Sequence, residues 1–226
     1  MIADNIRFVE KTIQEHCEEA GRDSQNVTLI TVSKTKPVSM LEEAYQAGSR
    51  DFGENRVQEL IDKYDKLPDD IRWHLIGHLQ TNKVKYIVDK VYMIHSVESV
   101  RLAREISKEA VKKNVTVKVL VEINIGNEDS KFGLQKNDVI PFLKEICVLP
   151  GIKVEGLMAI APICEFPEEN RAYFQQMKQL SVDIKQENID NVNMNVLSMG
   201  MTGDYQVAVE EGATYVRVGT GIFGER

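Results

Sequence analysis

The chain has 226 residues, 42% of them hydrophobic and 28% charged, the balance of an ordinary globular protein. Its formal net charge of −7 argues against a general affinity for nucleic acid, which favours a basic face, and leaves room for a local positive pocket. Three cysteines, Cys17, Cys147 and Cys164, are odd in number and lack CxxC spacing, so neither a disulfide framework nor a thiolate metal site is expected.

In chain order, residues 2–20 carry apolar positions at helical spacing and end at Gly21. No apolar leader stands there and no apolar run reaches membrane-spanning length, so a cytoplasmic location is the expectation. An apolar, β-branched run at 27–33 predicts the first strand, and a helix near 39–47 follows, ending at Gly48. Residues 51–53 read as a short second strand, 56–67 as a helix stopping before Pro68, and 72–77 as a third strand. A helix near 80–89, a strand at 91–96 and a long amphipathic helix over 97–114 come next. Residues 115–125 give the clearest strand, then a helix near 137–148, a strand at 152–160 and a helix near 167–187. The pattern ends with a strand at 194–199, a short helix at 205–211 and a strand at 214–218.

Strands alternating with crossover-length helices imply a parallel sheet. Eight such units after a leading N-terminal helix suit an α/β fold closed as a single (β/α)8 TIM barrel. An open doubly wound sheet is the alternative, but it has fewer strands as a rule, and no GxGxxG follows the first strand. No linker or repeat divides the chain, so residues 1–226 are expected to form one domain.

In such barrels chemistry gathers at the C-terminal strand ends, with phosphate sites often built after strands seven and eight. Three stretches lie at those ends. In Ser33-Lys34-Thr35-Lys36-Pro37, Lys34 sits at the strand tip, where partial desolvation disfavours the ammonium form and makes a nucleophilic amine; a lysine in this position also commonly snorkels to water. Lys36, beyond the strand, reads as a rim charge. Ser198-Met199-Gly200-Met201-Thr202-Gly203-Asp204 turns strand seven into a helix; small residues and hydroxyls at a helix start suit an anion, and they also suit plain capping. Arg217-Val218-Gly219-Thr220-Gly221 follows strand eight, and its glycines let backbone approach a ligand. Two neighbouring glycine–hydroxyl turns point to a phosphate cup. Arg217 lies in an apolar strand and needs a partner, either a ligand or a glutamate such as Glu122 or Glu155. His16, His74, His78 and His95 have no metal-ligand spacing, Trp73 and His74 read as packing residues, and no nucleophile–histidine pair is legible.

The motifs VSKTKP, FGENRVQE, WHLIGHLQTNK, INIGNEDSKFG, GLMAI, LSMGMTGD and VRVGTGIFG occur in the order seen in the YggS/PROSC family, the pyridoxal phosphate (PLP) homeostasis proteins, which the chain resembles over nearly its whole length. The resemblance implies the alanine-racemase-like barrel of fold type III PLP proteins. It matches Lys34 to the Schiff-base lysine, and Ser198, Gly200, Met201, Gly219 and Thr220 to positions around the phosphate. Arg217 matches the arginine facing the pyridine nitrogen and Asn55 a residue lining the cofactor, with Met158 packed near it. Lys131 matches a lysine proposed as a secondary PLP contact. His78 and Gly203 depart from the usual residues, which bears on loop shape. The implied cofactor is pyridoxal 5′-phosphate, and the implied role is PLP binding in vitamin B6 and amino-acid homeostasis without a dedicated reaction. The absence of residues after strand eight for the second domain of racemases underlies the last expectation. A weak amino-acid racemase and a Schiff-base aldolase barrel for a phosphorylated substrate are the alternatives. The expected partners are PLP and PLP-dependent apo-enzymes, with no nucleic acid, no membrane and a monomeric chain.

Overall fold

The computed structural model describes residues 1–128 and 132–225. Helix α1 (Ile2–Glu19) precedes the barrel and buries one stripe, Ile2, Ile6, Val9, Ile13 and Cys17, at helical spacing. Strands β1 (Thr28–Val32), β2 (Asp51–Glu54), β3 (Arg72–Leu75) and β4 (Met93–Val97) are followed by β5 (Val117–Ile123), β6 (Ile152–Ala159), β7 (Val192–Met201) and β8 (Tyr215–Val218). All neighbours pair in parallel and the sheet closes in chain order, β8 returning to β1 with Leu29 opposite Val216 and Thr31 opposite Val218. The (β/α)8 barrel expected from the alternation is therefore the fold.

Helices α2 (Val38–Gln46), α3 (Val57–Tyr64), α4 (Val100–Lys113), α5 (Val139–Ile146), α6 (Arg171–Gln186) and α7 (Tyr205–Glu210) sit outside the strands. Their apolar faces form the main core with the outward residues of the sheet, Phe52, Trp73, Val119 and Val216 among them. Two small clusters lie inside the barrel: Met93, Leu120, Met158 and Val196, and Ile30, Val32 and Ile76. The rest of the interior is polar.

Three elements differ from the sequence reading. The segment near 80–89 is a 3-10 helix over Thr81–Tyr86; a tight turn already buries Val84, Ile87 and Val88. β7 runs past residue 199 to Met201 because it bulges: Ser198 pairs with Tyr215 and Met201 with Arg217, one extra residue on β7. Gly200 carries the bulge at φ +88°, where an added Cβ would stand 2.5 Å from the Ala208 Cβ. The glycine-rich stretch after β8 coils into one helical turn, α8 (Thr220–Phe223), which α1 grips through Asn5 Nδ2 donating to the Ile222 carbonyl at 2.8 Å. Among the described residues no helix is long and apolar enough to cross a membrane, and all three cysteines are unpaired.

Candidate cofactor site

Lys34 follows β1 directly and is half-buried. Its backbone is clamped from behind by an ionic cluster. Lys63, buried on α3, donates from Nζ to Glu54 Oε1 at 2.7 Å, to Glu59 Oε1 at 2.7 Å and to the Ser33 carbonyl at 2.8 Å. Ser33 Oγ donates to Glu54 Oε1 at 2.7 Å, and the Thr35 amide donates to Glu59. Thr35 itself is left-handed at φ +66°. Burial pushes the Glu54 carboxyl above its ordinary value, while Lys63 and Ser33 oppose the shift. The residues on both sides of Lys34 are thus fixed by charge-assisted bonds, which gives its amine a defined origin.

That amine lines a cavity of about 290 Å³ at the C-terminal mouth of the barrel, with Val32, Asn55, Ile76, Ile160, Met201, Thr202, Gly203, Arg217, Gly219 and Thr220. Arg217 is deeply buried, and burial lowers its pKa to about 10, against the pull of Asp204 and Glu122, so it stays cationic at neutral pH. The turn after β7 is held by Asp204, whose Oδ1 accepts from the Met201 amide at 2.7 Å and whose Oδ2 accepts from Asn170 Nδ2 at 2.8 Å. Thr202 Oγ1 reaches across to the Gly219 amide at 3.3 Å. The first-turn N–H groups of α8 lack helical acceptors, as at every helix start, and they adjoin this cavity at Gly219 and Thr220. Asn55 Oδ1 is buried and has no hydrogen-bond partner among the described residues, a state that asks for a ligand group. The lining therefore fits an anionic, carbonyl-bearing group: an amine, a buried guanidinium, two hydroxyls and glycine-lined backbone donate, and the Asn55 amide oxygen accepts from a donor on the ligand.

A second space of about 500 Å³ adjoins through Val32, Lys34, Gly219 and Thr220 and extends to Lys36 and Gly224. Lys36 Nζ there donates to the Gly224 and Glu225 carbonyls, both at 3.1 Å; the rim charge fastens the end of the chain. A separate cleft of about 290 Å³ lies beside His78, Glu98 and Arg101, away from the strand-tip amine.

Residues 9–226 match the sequence model of the family described as alanine racemase, N-terminal domain. Proteins named pyridoxal phosphate homeostasis protein match end to end. The one from Aquifex aeolicus is 46% identical, with 99% of this chain and 97% of the relative covered; that of Pseudomonas aeruginosa is 37% identical over 100% and 96%. The chain belongs to the pyridoxal phosphate homeostasis protein family. PipY of Synechococcus elongatus, solved with PLP bound, superposes on this family member with a TM-score of 0.85 at 35% identity, covering 99% of this chain and 100% of PipY. An alanine racemase of Clostridium difficile, at 16% identity and TM-score 0.77 over 99% of this chain and 57% of its own, shares the fold.

Within this family member the structure brings Lys34, Asn55, Met201, Arg217, Gly219 and Thr220 around one cavity. It does not bring Ser198, Gly200 or Met158 to that wall. Ser198 is wholly buried in the barrel, where its Oγ accepts from Arg217 at 2.6 Å instead of facing the mouth. Gly200 shapes the bulge, and Met158 packs in the interior apolar cluster below. Arg217 meets neither glutamate named from sequence: its second guanidinium nitrogen donates to the Ala159 carbonyl at 2.8 Å, while Glu155 pairs with Lys153 at 2.8 Å. Lys131 lies outside the described residues. Sequence reasoning placed Thr202 and Gly203 in a turn that suits an anion without naming either as a cofactor residue, and both line the cavity. The apolar walls Val32, Ile76 and Ile160 were hidden in strand runs.

Proposed function

We propose that this protein binds pyridoxal 5′-phosphate at the β7–β8 side of the barrel mouth, with Lys34 as the anchoring amine, and serves PLP homeostasis without a dedicated reaction. The observation that carries the reading is the convergence of a clamped strand-tip lysine, a buried cationic arginine and the glycine–hydroxyl turns on one cavity. When bound, PLP supplies an aldehyde for amines and an electron-withdrawing ring. Lys34 meets the aldehyde end, and Gly203, Gly219, Thr202 and Thr220 suit the phosphate, where backbone and hydroxyl donors match a dianion. Arg217, cationic at neutral pH, disfavours a further positive charge in the same cavity and so weakens the ring as an electron sink.

The absence of a dedicated reaction is supported by the cavity wall. Among its described residues Lys34 and Arg217 alone are ionisable, so even a Lys34 released by an incoming amine would have no second acid–base partner on that wall of the kind two-base proton transfer needs. The reading extends to residues 1–226 as one domain acting as a cytoplasmic monomer that passes PLP to dependent apo-enzymes. The unpaired cysteines suit a reducing compartment.

Adding PLP to the purified protein is expected to give a visible absorption band. Borohydride treatment and peptide mapping are expected to place the label on Lys34, and Lys34→Ala to lose both. A band and label that survive Lys34→Ala refute the assignment. Steady isomerisation of amino acids that disappears with Lys34 refutes the non-enzymatic reading. PLP transfer to an apo-enzyme, faster than from an equal amount of free PLP, tests delivery.

A further inference from the structure

Behind Arg217 a line of polar side chains runs the length of the barrel interior. Arg217 donates to Ser198 Oγ at 2.6 Å; Ser198 Oγ lies 3.0 Å from His95 Nδ1; His95 Nε2 lies 2.9 Å from His74 Nδ1; His74 Nε2 lies 3.0 Å from Asp51 Oδ1. Arg72 closes the far end, donating to both Asp51 oxygens at 2.8 and 2.5 Å. Ser198, His95 and His74 are wholly buried. The rings of Tyr92 and Tyr215 stand 5.4 and 5.7 Å from His74, and Met93, Leu120, Met158 and Val196 form an apolar cluster in the same interior. None of the strands β2, β3, β4, β7 and β8 shows this in its own sequence; the barrel register assembles it.

The ends of the line have fixed roles. An arginine only donates and an ionised carboxylate only accepts. Burial favours neutral imidazoles, and for His95 the neighbouring His74 and Arg217 act the same way. Burial opposes ionisation of Asp51, yet the bonds from Arg72 and His74 hold its carboxyl below the usual range. With both rings neutral, one assignment satisfies every bond: Asp51 accepts from His74 Nε2–H, His74 Nδ1 from His95 Nε2–H, His95 Nδ1 from the Ser198 hydroxyl, and Ser198 from Arg217.

We propose that Asp51, His74 and His95 are positioning residues that, through Ser198, lock Arg217 toward the cofactor cavity by a hydrogen-bond relay of single direction. Aligned bonds of this kind polarise one another, so the Asp51 carboxylate acts on a buried cation whose immediate partners are neutral. The role of the cavity rests on the PLP reading above; the direction of the relay does not.

The test starts with ¹⁵N NMR of the histidine rings in the full chain without PLP. Both His74 and His95 are expected to be neutral with the proton on Nε2, and Asp51→Asn is expected to alter both rings, since an asparagine amide can donate to His74. A charged ring at neutral pH, a proton on Nδ1 in the wild type, or a change confined to His74 overturns the relay. If Asp51→Asn does not fold, the wild-type spectrum decides alone. The second readout is PLP affinity from the visible band. Asp51→Asn and Ser198→Ala are each expected to weaken PLP about tenfold, and the double variant no further, because both cut one line. Losses that add, as separate sites do, overturn the proposal. A protein that binds no PLP while showing the predicted rings refutes the PLP reading and leaves the relay standing.

Discussion

Replacing Lys63 with methionine tests whether the ionic cluster behind Lys34 is what fixes the strand tip. The substitution keeps most of the side-chain volume and removes three donated bonds, two to carboxylates. Glu54, whose side chain has no solvent exposure, then holds a charge with only the Ser33 hydroxyl beside it. Breaking a buried pair by removing one partner costs about 3–5 kcal/mol. The lower end applies here, because Glu59 is partly exposed and rehydrates, and because Glu54 can take up a proton. That escape fixes the sign of the pH dependence. Burial already raises the folded-state pKa of Glu54, and losing Lys63 raises it further. Between the unfolded and folded values the folded chain binds the extra proton, so stability falls as pH rises through that window. Urea unfolding followed by the fluorescence of Trp73, buried against Phe52, is expected to show a loss of about 3 kcal/mol at pH 8 and less at pH 5. PLP affinity is expected to fall as well, since the Ser33 carbonyl precedes Lys34. Lys63→Met/Glu54→Leu, which removes both charges, is expected to regain part of the stability. A Lys63→Met loss below about 1 kcal/mol, or one that does not change with pH, refutes the reasoning.

The β7 bulge predicts that Gly200→Ala costs about 3 kcal/mol in urea unfolding, from the positive φ together with the 2.5 Å approach to Ala208; a loss under about 0.5 kcal/mol contradicts the bulge. Burial, reinforced by Glu98 and opposed by Arg217, raises Glu122 to about 7 from 4.5. Its folded pKa is the higher one, so its contribution is full below pH 4.5 and about 3 kcal/mol is lost as pH rises through 7; Glu122→Gln is expected to flatten that part of the stability curve. A hundredfold excess of PLP over its dissociation constant is expected to stabilise the chain by about 2.7 kcal/mol in thermal unfolding, and Arg217→Met to lose most of that gain at the same PLP concentration.

The sequence disclosed what depends on one element at a time. Val117–Ile123 and Ile152–Ala159 are apolar enough to read as buried strands, and Lys34 and Gly219 could be placed at strand ends because barrels put their chemistry there. What stayed hidden depends on several strands at once. Ser198 alternates with Leu197 and Met199 in one run, and its inward direction places its hydroxyl under Arg217 only after β7 bulges at Gly200. His74 and His95 lie 21 residues apart, and nothing in either strand announces the other. The segment near 80–89 differs for another reason: Val84, Ile87 and Val88 keep an α-helical spacing, but the 3-10 helix ends at Tyr86 and the chain beyond it buries Ile87 and Val88.

The interior charges are not paired alike, and the difference locates the binding potential. Asp51 meets Arg72 directly at the outer end of the barrel, and Glu54 meets Lys63 directly behind the strand tip. Arg217 is instead bonded to a hydroxyl and a carbonyl, and Asp204 and Glu122 act on it only through space, the latter itself titrating near neutrality. A buried cation whose direct partners are neutral is only partly compensated by carboxylates at a distance, and its remaining potential is strongest where the low-dielectric wall opens. Here that opening is the cavity holding Lys34, Thr202 and Thr220. An anion entering it would add the direct ionic contact that Arg217, bonded to a hydroxyl and a carbonyl, lacks among the described residues. Under the PLP reading proposed above, part of the binding energy for a phosphate-bearing ligand would then come from electrostatic work already done in folding, a form of preorganisation that a rigid barrel can store.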